Sequence, residues 1–388
     1  MQELYIDTPD GVRALCNRLG GTPWLAVDTE FLRERTYYPR LCLIQIANTE
    51  VAACIDPLTI DDLSPLRNLL LNPAILKVFH AARQDLEILY QLWDAVPAPV
   101  FDTQIAATLL GLGDQAGYAN VVEQLLGISL PKEHSRTDWT RRPLSGEQRR
   151  YALDDVIYLG RLYQEMHARL TALGRIEWLG EDFRTLTESG LYRVQPEHMW
   201  QRIRGRQRLK GVQLAVLRTL AAWREEEAMK ANRPRKWIMK DEVLLDLARR
   251  RPASLEKLGH IRGLERGDIK RHGHHLLRLI GEAVALPPEA WPETEKAHRP
   301  TPQQEALTDL LMAVLRLRAE AHQLASGAVA SRKDLERLVA GARDIPLLRG
   351  WRHGLVGADL ERVLAGKQCV CVSADRLELV ARSAVPPT

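Results

Sequence analysis

Two carboxylates separated by one residue, Asp28 and Glu30 in LAVDTEF, close a short apolar run. On a strand, alternate side chains share a face, so these acids project together and Thr29 points the other way. Anions held side by side at the end of an apolar strand are costly unless a cation compensates. Hard oxygen ligands of this kind suit Mg²⁺ or Mn²⁺. A further carboxylate, Asp85 in VFHAARQDLEILYQL, sits near the start of a helical stretch, where it also favours the helix dipole. Glu87 falls on a different face and is expected to be exposed. In RRYALDDVIYL, Tyr151 and Asp155 are four apart and so share a helical face, about 5–6 Å from each other. Asp154 cannot point the same way and reads as a surface or supporting acid. Four carboxylates with a phenol beside one of them form a usable hydrolytic site. Two divalent ions roughly 3.5–4 Å apart hold a scissile phosphate, activate a water and stabilise the leaving oxygen. A tyrosine hydroxyl orients that water for in-line attack.

The elements that must position these residues are legible as periodicities. Residues 24–27 form a short apolar run leading into Asp28, and residues 41–47 and 51–55 are β-rich runs around the turn Asn48-Thr49-Glu50. Helical spacing covers residues 63–71, a strand 76–79 follows, and helices are expected at 82–93, 103–110, 121–126 and 146–170. Three strands able to pair as a meander, then strands alternating with helices, predict a mixed sheet with helices on both faces. Beyond residue 195 strand signals nearly vanish. Helices are expected at 207–230, 240–250, 254–258, 268–285, 303–323 and 332–340. WIMKDEVLLDLARRRP aligns with VASRKDLERLVAGARD once Lys240-Asp241 is placed on Lys333-Asp334, which suggests a diverged repeat.

At 388 residues the chain calls for two or three domains. A start without a basic segment followed by an apolar run, and no apolar stretch of about 20 residues, point away from secretion and membranes and towards the cytoplasm. Five scattered cysteines, with Cys369 and Cys371 lacking a second pair, suit reduced thiols rather than a zinc site. The net charge is +4, but residues 195–285 hold 21 Lys and Arg against 11 Asp and Glu, a surplus of +10 that leaves about −6 for the remainder. Such a basic segment commonly tracks a phosphate backbone, and a solvated helix surface is the plain alternative.

Together, Asp28-x-Glu30, Asp85 and Tyr151-x-x-x-Asp155 resemble the tyrosine-bearing branch of the DEDD exonuclease superfamily. TYYPRLCLIQIA (36–47), VFDTQIAATLL (100–110) and DWTRRPLSGEQRRYALDDV (138–156) are similar to the ribonuclease D family. Residues 200–285 resemble an HRDC domain, a small helical nucleic-acid-binding module, and residues 302–377 look like a more diverged copy. The resemblance implies an α/β, RNase H-like exonuclease domain (1–194), a first all-α HRDC domain (195–287), a linker (288–301) and a second, likewise all-α, HRDC-like domain (302–388). It implies 3′→5′ hydrolysis of RNA to nucleoside 5′-monophosphates and trimming of tRNA precursors and other structured RNA, with no obligate protein partner. It assigns Asp28, Glu30, Asp85 and Asp155 to two Mg²⁺ or Mn²⁺ ions and Tyr151 to the attacking water.

Other residues are expected around that set. Tyr37 and Tyr38 are candidates to stack on terminal bases. Trp139, Arg141 and Arg142 precede the third motif and are candidates for substrate phosphate. Arg202, Arg204, Arg206 and Arg208 read as a phosphate-tracking cluster. Asp102 reads as a helix N-cap or a carboxylate supporting the site rather than a ligand, and His80 as a structural histidine. Two rivals stand beside the main reading: a DNA exonuclease, since the same carboxylates cut either backbone, and a binding scaffold with vestigial catalysis. The chain contains no G-x-x-x-x-G-K-[ST], which weighs against a helicase-linked DNA enzyme.

Overall fold

The computed structural model describes residues 1–130, 137–293 and 300–382. A six-stranded sheet is built from β1 (Gln2–Ile6), β2 (Trp24–Leu32), β3 (Arg40–Ala47), β4 (Val51–Ile55), β5 (Leu76–Phe79) and β6 (Val100–Asp102), in the order β1-β4-β3-β2-β5-β6. The expected meander is its centre. β3 and β4 pair antiparallel through Ile44↔Ile55 and Ala47↔Ala52, while β5 joins β2 in parallel through Leu25↔Lys77. β4 is buried along its whole length, so both faces of the sheet are covered. Its helices are α1 (Pro9–Leu19), α2 (Ser64–Leu70), α3 (Arg83–Trp93), α4 (Thr103–Leu109), α5 (Tyr118–Leu126), the 27-residue α6 (Gly146–Ala172) and α7 (Gly180–Thr187). α6 begins in a capping box between Ser145 and Gln148. No helix among the described residues is long and apolar enough to cross a membrane.

β1 and α1 escaped the sequence reading. QELYI alternates too weakly to register as a strand, although Thr8-Pro9 marks the start of α1, where the Thr8 hydroxyl accepts from the Gly11 amide.

By compactness the chain separates into two units. One comprises Met1–Glu30, Cys42–Leu191 and His298–Thr388, the other Phe31–Leu41 and Tyr192–Ala297. The second unit holds the first helical module: α8 (Val212–Ala231), α9 (Arg235–Ile238), α10 (Asp241–Arg250), α11 (Leu255–Leu258) and α12 (Arg266–Val284), closed around Leu217, Leu220, Leu244 and Leu276. Of the linker expected at 288–301, residues 294–299 lie outside the described residues.

The second helical module follows: α13 (Pro302–Ala321), α14 (Ser326–Val329), α15 (Arg332–Val339), α16 (Gly350–Arg352) and α17 (Ala358–Leu364), around Leu311, Leu315, Leu335 and Leu360. It is not all-α. A hairpin of β7 (Gln368–Ser373) and β8 (Arg376–Ala381) ends it, turning at Ala374 and Asp375, both with positive φ. Such a turn usually carries Asn-Gly or Asp-Gly, so Ala-Asp gave no signal.

The repeat is present, but in another register. Asn232 and Gln323, both left-handed, end the long helices. The short α9 and α14 follow, and Lys240 and Ser331 are the N-cap residues of α10 and α15. Leu244 and Leu247 then match Leu335 and Leu338, all four buried. Lys240 therefore pairs with Ser331 rather than Lys333, because buried leucines, not charged surface residues, fix the alignment.

Candidate active site

β2, α3 and α6 bring the acids together. Carboxylate oxygens of Asp28, Glu30 and Asp155 all lie within 4.8 Å of one another, a grouping able to hold a metal ion. Asp85 stands outside that trio, 7% exposed in the first turn of α3. Burial raises every one of these carboxyls, and neighbouring acids add to it for all but Asp28. Burial pushes Asp28 up to about 6. Burial, then Asp28, Asp155 and Asp85, push Glu30 to about 10. Burial, then Asp28 and Asp154, push Asp155 to about 9. Asp85 is raised well above the usual range, by burial first and then by Asp28. Four acids this crowded resist simultaneous ionisation unless cations compensate. The donor set, all hard oxygens, therefore fits divalent ions such as Mg²⁺ or Mn²⁺.

Tyr151 hydrogen-bonds Asp155 from one turn earlier on α6, and burial with the surrounding acids raises its phenol, keeping it a protonated donor. Trp139, 3% exposed, packs beside it with ring centroids 6.1 Å apart.

Support for Asp85 comes from Asp102, the N-cap of α4. Its Oδ1 accepts from the Gln104 amide at 2.8 Å and the Ala81 amide at 3.1 Å, and its Oδ2 from the Ala82 amide at 2.8 Å. One carboxylate thus caps α4 and holds the turn that starts α3. That turn needs holding, because Ala82 offers α3 no side-chain cap and Ala81 has a φ of 56°. His80 places its Nδ1 2.9 Å from the Thr103 hydroxyl, and burial lowers its pKa.

A family model described as 3′-5′ exonuclease matches residues 4–171, and one described as HRDC domain matches residues 213–280. Ribonuclease D of Acidiphilium cryptum (strain JF-5) is 41% identical over 384 residues, 98% of this chain and 97% of the relative. The chain belongs to the ribonuclease D family. Ribonuclease D of Granulibacter bethesdensis is likewise 41% identical over 382 residues, covering 97% of this chain and 96% of the relative. Among solved structures, Escherichia coli RNase D, described as an exoribonuclease involved in structured RNA processing, superposes with a TM-score of 0.83 at 33% identity. That match covers 94% of this chain and 99% of the other. The catalytic core of Trypanosoma brucei RRP6 matches at a TM-score of 0.56 and 25% identity, over 73% and 80% of the two chains. As a ribonuclease D, the protein is a 3′→5′ exoribonuclease with a divalent-metal-dependent exonuclease domain.

The expected substrate contacts divide. Arg142 is committed to the protein: its Nε and Nη2 grip the buried Asp56 at 2.5 and 2.7 Å, and Nη2 also reaches the Cys42 carbonyl at 2.7 Å. Its Nη1 donates to the Trp139 and Arg141 carbonyls, both at 2.8 Å. A guanidinium so saturated has no donor left for phosphate. Trp139 is buried, with its ring turned to that of Tyr151. Arg141 remains exposed, 3.3 Å from Asp138.

Tyr37 is likewise engaged. Its phenol donates to Glu225, and the Tyr37 and Tyr38 amides both donate to the Asn232 side-chain oxygen at 3.1 Å. The two rings meet edge to face, so Tyr37 anchors its loop on the first helical module rather than offering a free stacking surface. Arg202, Arg204 and Arg208 are exposed and Arg206 is half-buried, its Nη1 at 3.4 Å from the Ile203 carbonyl. Asp154 pairs with Arg150 at 2.6 Å on the helix surface. Glu87 is half-buried, accepting from Gln91.

Two residues near the acids were missed. Tyr118, at the start of α5, donates its buried phenol to the main-chain carbonyl of Asp155. No spacing rule links a tyrosine at the start of α5 to a helix in the third motif. Thr29, expected to point away, donates to Asp85 Oδ1 at 2.5 Å. The alternation rule was sound for Asp28 and Glu30. What it missed is that α3 brings Asp85 within hydrogen-bonding reach of Thr29 as well.

Proposed function

We propose that this exoribonuclease works by a two-metal-ion mechanism, with Asp28, Glu30, Asp85 and Asp155 holding the ions and Tyr151 orienting the nucleophile. The convergence of Asp28, Glu30 and Asp155 within 4.8 Å carries the reading. Bound there, two Mg²⁺ or Mn²⁺ ions supply charge neutralisation at the scissile phosphate and acidify the attacking water. The protein's own part is positional. β2 presents two acids on one face, α6 adds Asp155, and the Tyr151 phenol, its proton given to Asp155, fixes a water by accepting one hydrogen bond. Trp139 keeps that phenol in place. Products are nucleoside 5′-monophosphates.

The substrate we infer is structured RNA with a free 3′ end, tRNA precursors among it, in the cytoplasm. The exposed Arg202, Arg204 and Arg208 beside the first helical module support contact with the phosphate backbone. The domain reading, an exonuclease body followed by two HRDC-like modules, is supported by the repeated helix pattern.

The test is digestion of matched 5′-labelled single-stranded RNA and DNA with Mg²⁺, Mn²⁺ or EDTA, with Asp28→Ala alongside. A ladder shortening from the 3′ end, faster on RNA and absent with EDTA or in the variant, is the expected result. Faster loss of DNA would transfer the reading to a DNA exonuclease. Intact substrate in every lane despite tight binding would leave only a scaffold.

A further inference from the structure

Thr29 stands between the two acids of the first motif, yet its side chain serves a third acid from another part of the chain. Its hydroxyl donates to Asp85 Oδ1 at 2.5 Å, with Thr29 5% and Asp85 7% exposed. Among the described residues it is the one side-chain donor to Asp85. The remaining bond to that carboxylate comes from its own main chain. β-Branching restricts χ1 of a strand threonine, so the hydroxyl's direction is set by β2 itself. Asp85 needs such a fixture. It lies outside the tight trio of Asp28, Glu30 and Asp155, and it rides on a helix whose N-cap residue, Ala82, has no capping side chain.

We propose that Thr29 is a positioning residue: its hydroxyl holds one oxygen of Asp85 and turns the other towards the metal-binding acids. The inference rests on the reading of Asp85 as a metal ligand. A hydroxyl donating to a carboxylate also favours the ionised form that a cation requires. The first motif then carries three functions in consecutive residues, two acids and, between them, the orienter of another acid.

The test compares Thr29→Val, which keeps the shape and removes the hydroxyl, with Thr29→Ser, which keeps the hydroxyl. Mn²⁺ binding to the full-length protein is measured by calorimetry, beside the Mg²⁺ dependence of turnover and the thermal midpoint. Thr29→Val is expected to weaken Mn²⁺ binding about tenfold and to raise the Mg²⁺ needed for half-maximal rate by a similar factor. Thr29→Ser is expected to restore both. If Thr29→Val does not fold, Thr29→Ala takes its place in the same comparison.

The double variant Thr29→Val/Asp85→Asn is expected to bind Mn²⁺ no worse than Asp85→Asn, because the hydroxyl acts through that carboxylate. Unchanged Mn²⁺ affinity in Thr29→Val, or failure of Thr29→Ser to restore it, would overturn the inference. An Asp85→Asn protein with wild-type Mn²⁺ binding would instead overturn the ligand role on which it rests.

Discussion

The phenol of Tyr37 donates to the carboxylate of Glu225, 188 positions further along the chain. Glu225 is fully buried, and the same oxygen faces Arg235 at 3.0 Å. With the two amide bonds to Asn232, this pins residues 36–38, which follow the strand bearing Asp28 and Glu30. Glu225→Ala leaves a half-buried guanidinium and a phenol without their acceptor, and is expected to destabilise the protein by about 3 kcal/mol. Tyr37→Phe removes one bond and should cost about 1 kcal/mol. Urea unfolding separates the two. Equal losses would make the phenol, not the ion pair, the anchor.

The raised acids make a pH-dependent prediction whose sign is fixed. Asp and Glu titrate near 3.9 and 4.3 when unfolded, roughly. Folded, Asp28 is pushed to about 6, Asp155 to about 9 and Glu30 to about 10. The folded state therefore binds more protons than the unfolded one across that window, so their contribution to stability falls as pH rises. Below about pH 4 both states are protonated and the penalty vanishes. In EDTA, Glu30→Gln should gain thermal stability over the wild type as pH goes from about 5 to about 9. Mn²⁺ should reverse that ranking, since the wild-type acids bind the ion and lose their repulsion. Thermal midpoints across this pH range, with and without Mn²⁺, measure it. A constant difference in EDTA would mean the acids do not share protons in this way.

How much of this was legible follows from where each signal resides. Asp28, Glu30, Tyr151 and Asp155 were readable because strand and helix periodicities put chemistry at fixed spacings. Asp102 was readable as a cap because Asp before a helix has few other uses. Arg142 was misjudged because a sequence shows a charge and not its partner, and the buried Asp56 lies 86 positions away. Thr29, Tyr118 and Tyr37 act through contacts between distant segments, for which local spacing carries no information. The offset in the repeat has the same origin: Lys-Asp recurs on the surface by chance, whereas Leu244 and Leu335 are fixed by the cores they fill.

Arg142 and Asp56 offer a test that separates structure from substrate binding. The pair is bidentate, with Asp56 1% exposed and Tyr5 donating to it at 2.7 Å. Burial opposes the ionised carboxylate, but the bonds from Arg142, Tyr5 and the Leu58 amide outweigh it and hold its pKa low. Arg142→Ala is expected to cost about 3 kcal/mol. It should also lower kcat on short oligomers, because the same loop carries Trp139 beside Tyr151. Arg142→Lys should recover little, since an ammonium cannot reproduce the fork. Were Arg142 a phosphate contact, KM for RNA would rise with stability and kcat intact.

The second helical module bears on the catalytic body through stacked indoles. Trp178 and Trp351 lie 4.8 Å apart and nearly parallel, at 3°, with the Arg352 guanidinium 4.5 Å over Trp351 and 3.0 Å from Asp182. Arg175 donates to the carbonyls of Leu109 and His322, each at 2.7 Å. Leu109 ends α4, whose other end is capped by Asp102, the residue that also holds the turn before Asp85. The module is therefore tied, through α4, to the support of a proposed metal ligand. Trp351→Ala is expected to destabilise by about 2 kcal/mol, less than a fully buried tryptophan because part of the ring is exposed. Removal of residues 302–388 should reduce turnover even of a trinucleotide too short to reach a helical module. A truncated protein that keeps its wild-type rate on the trinucleotide and loses only affinity for structured RNA would mean that α4 holds Asp85 without help from this module.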